Sequence, residues 1–487
     1  MHDNKGKPSI FANLFWKFLQ SSGYQVASFF ISIVLARLLE PSVYGIVAIV
    51  GVFTSIMQVF VDSGLGVSLI QKKDVDNIDF SSVFYFNLLM CSVFYVGLFF
   101  SAPWIAHFYK LPELTKIVRV MGLSLIIYGV NHIQHSYVSK TLQFKCLFFA
   151  TLGAVVISSI VGLTIAYLGF GVWALVWQSL ANALTSTIIL WFTVKWRPTW
   201  AFSFKKLKSL YSFGWKIFVS SILNTLYRDL TTLIIGKLYS SKDLAFYQRG
   251  AQFPRIISQN INTSIDSVLL PAMATEQDNI KRLKAMTERA IKTSTFIMMP
   301  IMGGLAVCSE SIVRMVLTDK WLPCLFFFRI FCFTYAFHPV QTANLNAIKA
   351  LGRSDWFLIL EIIKKVVGLV FLLSTIWISV KALACSLLVT NVLAQIINSW
   401  PNKKLLNYSY LEQLRDILPQ ILITGIMIGL VYLIHFFHFN DIVKLCIQIP
   451  FGAAFYIIVS LVFKMECALY IKNKVISTLS FGKYHNK

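Results

Sequence analysis

Long apolar runs, separated by short polar and charged clusters, recur along the whole chain. Residues 146–194 contain no Asp, Glu, Lys, Arg or His. Because about 20 apolar residues cross the hydrocarbon core of a bilayer once, this stretch can cross it twice, turning at the sequence LGFGVW of residues 168–173. The pattern therefore predicts an all-α polytopic membrane protein.

The apolar runs between turn and charge clusters predict about fourteen transmembrane helices. The loops that connect them are short, and we expect no extramembrane domain on either side. The predicted spans are residues 13–37, 43–70, 80–106, 114–138, 146–168, 172–195, 209–237, 243–272, 285–309, 323–350, 355–378, 381–400, 416–437 and 442–464.

Composition and charge support this interpretation. Of the 487 residues, 57% are hydrophobic and 13% are charged, whereas a soluble fold of this size does not require so much apolar surface. The 44 Lys and Arg residues outnumber the 21 Asp and Glu residues, which gives a net charge of +23. In a soluble protein this excess would indicate nucleic acid, but in a membrane protein loop Lys and Arg set the orientation. We expect no nucleic-acid partner.

The basic residues are concentrated in alternate loops. Because cytoplasmic loops are enriched in Lys and Arg, both termini are predicted to be cytoplasmic. The basic set comprises Lys5 and Lys7, Lys72 and Lys73, Lys140 and Lys145, the stretches 195–208 and 281–284, Lys349 and Arg353, Lys403 and Lys404, and the Lys-rich tail.

The two halves of the chain share a weak internal repeat. Trp16 and Lys17 open the first predicted span, and Trp215 and Lys216 open the seventh. Both spans start on the same side of the membrane, so the repeat is parallel, with an axis along the membrane normal. Further aligned pairs are Gln25 with Asn224 and Asp62 with Asp266.

The repeat predicts two six-helix lobes with two extra C-terminal helices. The N-terminal lobe would comprise residues 1–195 and the C-terminal lobe residues 209–400, joined by a basic cytoplasmic linker at 196–208. Residues 401–487 would hold helices 13 and 14 and a basic cytoplasmic tail. Such lobes are typical of alternating-access transporters, whose binding site lies where the lobes face each other.

Seven segments carry a resemblance to a known family: LARLLEPSVYGIVA (35–48), DSGLGVSLIQK (62–72), IAHFYKLPELTKIVRVMGLSLII (105–127), LGFGVWALV (168–176), YQRGAQFPRI (247–256), LLPAMATEQDNIKRL (269–283) and LTDKWLPC (317–324). In this order they resemble the polysaccharide transporter family, the O-antigen and lipopolysaccharide flippases of the multidrug/oligosaccharidyl-lipid/polysaccharide exporter superfamily. The resemblance runs over nearly the whole chain.

The resemblance implies a substrate and a place of action. The substrate would be a glycan on polyprenyl pyrophosphate, moved from the inner to the outer leaflet of the bacterial plasma (inner) membrane. The product would serve O-antigen, capsule or exopolysaccharide synthesis, with a polymerase and chain-length machinery as further partners. The family supplies no consensus catalytic residues, so none is transferred to this chain.

Polar side chains along one face of the eighth span are the strongest candidates for a binding site. They recur at steps of three or four residues, which places them on one side of a helix, and a lipid-facing helix could not tolerate them. They are Arg249, Gln252, Arg255, Gln259, Asn262 and Asp266.

We expect arginines to meet the pyrophosphate and neutral side chains to meet the sugars. An arginine fork binds phosphate oxygens in pairs, and Arg228, in the middle of the seventh span, joins Arg249 and Arg255 in this role. The polyprenyl tail needs no site, since it can stay in the lipid. The neutral candidates are Asn224, Gln25, Gln58, Gln252, Gln259 and Asn262.

Each charged candidate also has a structural interpretation. Arg228 and Asp229 could pair with other helices, and Arg249 and Arg255 could reach the membrane surface. The candidates for ion coupling have alternatives as well: Asp62 and Asp266 as caps or hinge residues, His338 as a core residue, and Glu361 in an ion pair with Lys364 or Lys365.

Two other functions compete with a flippase. A cation-coupled multidrug antiporter of the same superfamily would need acidic groups in its cavity, but the candidate helices carry more Arg than acid. A membrane O-antigen polymerase would need a large external loop and catalytic groups, and neither paired carboxylates nor a nucleophile–base set is evident. The eight cysteines lie mostly in apolar runs without a CxxC pattern. We therefore predict no enzyme activity, cofactor, metal or disulfide framework.

Overall fold

The structure is a computed structural model that describes residues 10–437 and 439–469, with side chains from residue 15 onward except those of residues 18, 213 and 354. The described chain forms α-helices joined by short connections. Lys5, Lys7 and most of the basic tail lie outside the described residues. The helices are α1 (Ile10–Leu38), α2 (Pro41–Asp62), α3 (Leu65–Gln71), α4 (Asn77–Tyr109), α5 (Leu114–Thr141), α6 (Phe144–Tyr167), α7 (Val172–Thr193), α8 (Phe204–Leu238), α9 (Ser241–Ala274), α10 (Ile280–Val307), α11 (Ser309–Val316), α12 (Leu325–Ala336), α13 (His338–Ala350), α14 (Ser354–Thr375), α15 (Val380–Leu405), α16 (Tyr410–Leu433) and α17 (Asp441–Val462), with 3-10 helices at Asp319–Cys324 and Ile434–Phe436.

The predicted all-α polytopic architecture is confirmed. Each predicted span coincides with one helix or with two consecutive helices. Among the described residues, 11 helical spans are long and apolar enough to cross a membrane. The three predicted spans outside this set are α8, α9 and α14, which carry most of the charged candidates. Such helices are stable in a membrane where protein or water covers their polar face.

The second predicted span, residues 43–70, is broken rather than continuous. It divides into α2 and α3, because Ser63 and Gly64 both adopt left-handed backbone conformations, with φ of 45° and 70°. Glycine takes this conformation without steric cost. A side chain on Gly64 would also overlap the carbonyl of Gly214 in α8. Position 64 therefore requires glycine both for its backbone conformation and for close packing.

The tenth predicted span, residues 323–350, is also broken. It consists of α12 and α13, which meet at Phe337. Pro339 lies in the first turn of α13. Proline has no N–H to donate to the preceding turn and its ring clashes with the carbonyl four residues earlier, so it begins a new helix. The apolar run alone does not show this interruption.

The chain packs as two compact units, one reaching Ala245 and the other starting at Phe246. The boundary falls within the first turns of α9. The predicted linker, residues 196–208, packs into the first unit: Trp196 is buried, its Nε1 bonds the Asn77 side chain, and Leu207 joins the same apolar cluster. The proposed limits of the two six-helix lobes stay a prediction.

Within the first unit, α8 packs lengthwise and antiparallel against α2. Gly45 of α2 lies against the Ser241 carbonyl just beyond α8, and Gly64 lies against Gly214 near the start of α8. In the interval between them, Ser55 bonds Asp229. Close glycine contacts at both ends bring the backbones together and position this polar contact in the middle.

Candidate functional site

The first unit contains a polar cavity of about 590 Å³. It is lined by α1, α2, α5, α6 and α7, which are among the apolar spans of the chain. Among the described residues, its lining includes no Asp, Glu, Lys, Arg or His. The polar lining consists of Tyr24, Ser28, Ser32, Tyr44, Thr54, Gln58, Ser124, Tyr128, Asn131, Ser158, Gln178, Ser179, Asn182 and Ser186.

Helical spacing explains why these polar groups converge. Gln178, Asn182 and Ser186 lie four residues apart on α7, and therefore share one face. Thr54 and Gln58 do the same on α2. A polar face on an otherwise apolar membrane helix is stable only against protein or water. The helices thus turn these faces toward one another and leave their apolar faces outside.

The lining offers unsatisfied hydrogen-bonding capacity. Asn182 Nδ2 donates to Ser158 Oγ at 3.2 Å, which leaves further donor and acceptor positions on both groups. Asn131 Oδ1 is buried and accepts no hydrogen bond from a described residue. Buried polar groups without a partner are uncommon in folded proteins. The cavity is therefore suited to a neutral ligand rich in hydroxyl or amide groups.

The structure places only one of the predicted neutral contacts in this lining. Gln58 lines the cavity, whereas Gln25 is exposed on α1 and Asn224 is exposed on α8. Sequence reasoning missed the α7 residues, although the four-residue spacing of Gln178, Asn182 and Ser186 was a readable signal.

Arg228 pairs with its neighbour in the chain. Its Nε and Nη2 donate to Asp229 Oδ1 and Oδ2 at 2.8 and 3.0 Å. The Asp229 carboxylate also accepts a hydrogen bond from Ser55 Oγ at 2.8 Å. The Asp229 side chain is 15% exposed and that of Arg228 is 65% exposed. Asp229 is thus bound to α2 through Ser55, whereas the guanidinium of Arg228 remains accessible.

Arg249 and Arg255 differ sharply in their surroundings. Arg249 is buried: its Nη1 donates to Gln252 Oε1 at 2.7 Å, and its guanidinium lies 5.0 Å from the centre of the Trp321 ring. Arg255 is exposed. A buried guanidinium that contacts a side-chain amide and an aromatic ring contributes to interior packing. Of the two, Arg255 is the one accessible to an anionic ligand.

The remaining candidates on α9 divide in a similar way. Asn262 belongs to a local network, since its Nδ2 donates to Ser258 and its Oδ1 accepts from Thr342 Oγ1 at 3.0 Å. Gln259 is exposed, and Asp266 is partly buried. The polar face of α9 that the spacing predicts therefore contains both buried and exposed side chains.

Three of the four ion-coupling candidates, His338, Glu361 and Asp62, contact different partners. His338 Nδ1 lies 3.3 Å from Ser258 Oγ, and its ring meets the ring of Tyr335 edge to face. Glu361 accepts a hydrogen bond from Lys364 at 2.5 Å, which is the internal pair that its spacing allows. Asp62 lies 2.9 Å from His132 Nε2, a residue that sequence reasoning did not select.

The second unit contains a separate apolar groove of about 450 Å³ between α9, α10, α16 and α17. Its polar lining is restricted to a few groups such as Gln448 and Tyr456, and none of the predicted site residues belongs to it. Within the described part of the chain, no group of three or more His, Cys, Asp or Glu side chains is arranged to hold a metal ion.

The fold and the cavity define a multi-pass helical membrane protein with a polar internal site. A family described as "Polysaccharide biosynthesis protein" matches residues 34–326, and the chain belongs to this family. The resemblance drawn from the sequence is thereby confirmed.

Two relatives and one solved structure extend this comparison. The teichuronic acid biosynthesis protein TuaB of Bacillus subtilis (strain 168) is 25% identical over 310 residues, which cover 62% of this chain and 63% of TuaB. The match thus spans slightly less than two thirds of TuaB. The lipopolysaccharide biosynthesis protein WzxC of Escherichia coli (strain K12) is 22% identical over 329 residues, 66% of either chain.

The structure of the lipid II flippase MurJ in an inward closed conformation is similar, with a TM-score of 0.73 and 15% identity over 91% of this chain and 99% of that chain. At this level of identity the likeness shows a shared fold and nothing more.

Proposed function

We propose that this protein is a flippase for a polyprenyl-pyrophosphate-linked oligosaccharide. It would move the lipid-linked glycan from the cytoplasmic to the outer leaflet of a bacterial plasma membrane, for the synthesis of a surface polysaccharide. The observation that carries the proposal is the uncharged polar cavity in the first unit of a chain that belongs to a polysaccharide biosynthesis family.

The chemistry of the cavity supports a sugar ligand. Sugars present many hydroxyl groups, each able to donate and accept, and the lining supplies carboxamides and hydroxyls that can do the same. Tyr24, Tyr44 and Tyr128 add aromatic surface beside these groups. A lining of this kind contrasts with the acidic groups that a cation antiporter would need, and it supports the flippase over that alternative.

The pyrophosphate would be bound by an accessible arginine. Arg255 is exposed and takes part in no hydrogen bond or ion pair with another described residue. Arg228 is also exposed, but its guanidinium already binds the carboxylate of Asp229. Since phosphate oxygens bind guanidinium forks strongly, Arg255 is the first candidate for the head group, with Arg228 available if its pair opens.

Transport would follow an alternating-access cycle. The division of the chain into two compact units and the breaks in the spans at Gly64 and Phe337 support this proposal. The alternation of basic loops supports cytoplasmic termini. A polymerase and chain-length machinery would take the exported glycan, as the family resemblance implies.

A genetic experiment tests the proposed function. Deletion of the gene in its own bacterium should abolish the surface polysaccharide and leave lipid-linked oligosaccharide on the cytoplasmic side. The wild-type gene should restore export, whereas Gln178→Leu and Asn182→Leu should lower it by about tenfold, the loss expected from about 1.4 kcal/mol of binding energy.

Thr151→Val is the matched control for these variants. Thr151 lies on α6, bonds only backbone carbonyls of its own helix and does not line the cavity. It should leave export unchanged. A surface polysaccharide that is unaffected by deletion of the gene would refute the proposed function.

A further inference from the structure

The polar cavity of the first unit is rich in hydrogen-bonding groups that carry no charge. Its polar lining consists of carboxamides and hydroxyls, and no Asp, Glu, Lys, Arg or His belongs to the lining in the described part of the chain. Its volume of about 590 Å³ lies within the range of about 300–1,000 Å³ that is typical of small-molecule sites. The cavity can therefore hold one part of a glycan, and the sugars that enter it meet only neutral groups.

Charged side chains on the same helices add no net positive charge to this lining. Arg119 of α5 donates from Nε to the Phe99 carbonyl at 3.2 Å, and its guanidinium lies 4.2 Å from the centre of the Phe99 ring. His132 contacts the ring of Tyr128, a lining residue, but its Nε2 lies 2.9 Å from the Asp62 carboxylate. Because the Asp62 charge is negative, that contact supplies no counter-charge for an anion.

An acidic sugar would be poorly accommodated in such a cavity. Carboxyl groups titrate near pH about 4, so a hexuronic acid is negatively charged at neutral pH. Transfer of this charge from water to a site without a cation loses hydration that carboxamides and hydroxyls replace only in part. The guanidinium candidates for the pyrophosphate, Arg228 and Arg255, are not among the described lining residues and supply no compensation there.

The lining also contains an acceptor that a carboxylate cannot satisfy. Asn131 Oδ1 is buried and accepts no hydrogen bond from a described residue. A sugar hydroxyl or an acetamido N–H can donate to this oxygen, whereas a carboxylate can only accept. A neutral sugar therefore completes the hydrogen bonding of Asn131, and a carboxylate in its place leaves the oxygen unpaired.

Close packing between α6 and α7 positions one of the lining carboxamides. A side-chain carbon on Gly162 of α6 would lie 2.9 Å from Cβ of Gln178. The glycine thus leaves room for the stem of Gln178, and Asn182, one turn further along α7, donates to Ser158 of α6 at 3.2 Å. These contacts hold the polar face of α7 against α6.

We propose that the cavity is a sugar-binding subsite that selects uncharged sugars, such as hexoses and N-acetylhexosamines, and rejects hexuronic acids and other acidic sugars. Asn131, Gln178 and Asn182 would determine this selectivity. The inference rests on the proposed function and narrows its substrate class to lipid-linked glycans whose cavity-bound sugars are neutral.

Flipping of two lipids that differ in a single carboxyl group tests the selectivity. The first lipid is a polyprenyl-pyrophosphate disaccharide of N-acetylglucosamine and a terminal glucuronic acid. The second is the same lipid after reduction of the carboxyl to a primary alcohol, which leaves glucose. In proteoliposomes at neutral pH, wild type should expose the reduced lipid about tenfold faster than the acidic lipid, because only the acidic lipid brings an uncompensated charge into the cavity.

Arginine variants of α7 test whether the cavity is the source of the selectivity. Gln178→Arg adds a permanent positive charge that can pair with the carboxylate. It should raise the rate for the acidic lipid, relative to the reduced lipid, by about tenfold. Gln178→Met removes the amide without adding a charge, and it should leave the ratio of the two rates unchanged. Asn182→Arg is a second placement of the charge, for use if Gln178→Arg does not fold.

The ratio of the two rates is independent of the fraction of folded protein, because both lipids are tested on one preparation. Wild-type rates that are equal, or that favour the acidic lipid, would overturn the selectivity and leave the proposed function standing. A ratio that the folded arginine variants do not change would also overturn the proposal, since the selectivity would then lie outside the cavity. A wild type that exposes neither lipid faster than protein-free vesicles would contradict the proposed function itself.

Discussion

The hydroxyl of Ser55 donates a hydrogen bond of 2.8 Å to the carboxylate of Asp229, and thereby joins the middle of α2 to the middle of α8. Asp229 in turn holds Arg228 through two further bonds. Two charged residues within a long helix of the first unit are therefore compensated by each other and by one hydroxyl. This arrangement lets α8 carry an exposed arginine without leaving a partly buried carboxylate unpaired.

Removal of the Ser55 hydroxyl should destabilise the protein. Ser55→Ala leaves Asp229 without its bond to α2, and hydrogen bonds to charged groups contribute about 1.5–3 kcal/mol. Thermal unfolding of the purified protein in detergent measures the effect. Ser92→Ala is the control, because the Ser92 hydroxyl bonds only the Leu88 carbonyl of its own helix, and it should change stability little. Equal stability of the two variants would contradict the account.

Gly64→Ala should be far more harmful than a typical glycine substitution. Alanine in the left-handed conformation costs roughly 1–2 kcal/mol, and its side chain would overlap the Gly214 backbone. We expect a loss of more than about 2 kcal/mol in the free energy of unfolding. Gly51→Ala, within the preceding helix α2 and with open space around it, should be neutral or stabilise by about 0.5–1 kcal/mol. Similar unfolding temperatures for both variants would show that the break does not need glycine.

The sequence was sufficient to locate the spans but not the geometry with which two of them break. A run of about 20 apolar residues carries its own signal, so α4, α6 and α7 were found close to their observed limits. The break at Ser63 and Gly64 depends on the approach of Gly214, which lies on another helix.

Pairing between side chains was equally hard to foresee. Adjacent residues on a helix point in different directions, and nothing in the spacing showed that Arg228 would bind Asp229. The contact between His132 and Asp62 joins two helices, and only the folded structure brings them together. By contrast, the polar face of α7 was readable from its four-residue spacing.

The start of α4 offers a test of helix capping. Asp76 accepts a hydrogen bond from the Asp79 backbone N–H at 2.8 Å, and Asp79 Oδ2 accepts one from the Asp76 N–H at 3.1 Å. Asp76→Ala should cost about 0.5–2 kcal/mol of stability, and Asp76→Ser, which keeps an acceptor, should cost less. Thermal unfolding of both variants in detergent decides this, and an equal loss would exclude capping as the cause.

The same carboxylate should make stability depend on pH. Lys206 and the Asp79 N–H lower the pKa of Asp76 to about 2. Since its folded pKa lies below its unfolded value of about 3.9, the contribution of its charge is present above pH about 4 and is lost as the pH falls towards 2. The stability difference between wild type and Asp76→Ala should shrink over that interval. A constant difference would show that the charge of Asp76 contributes nothing.

The two arginines of α9 should respond differently to substitution. Arg249→Gln removes a buried guanidinium from Trp321 and Gln252, and should lower the unfolding temperature. Arg255→Gln changes an exposed side chain and should alter stability by less than about 0.5 kcal/mol, while it lowers transport of a pyrophosphate-linked substrate. Transport that is insensitive to Arg255→Gln would remove this residue from the proposed head-group site.

Flipping of a lipid-linked oligosaccharide by the purified protein in proteoliposomes tests the central claim most directly. Polyprenyl-pyrophosphate oligosaccharide is supplied on one leaflet, and its exposure on the other is followed with a membrane-impermeant sugar-modifying reagent. Wild type should expose the glycan faster than protein-free vesicles, and Asn182→Leu should lose most of this activity while Thr151→Val retains it. A rate in wild-type proteoliposomes equal to that of protein-free vesicles, with the protein correctly folded, would contradict the proposed function.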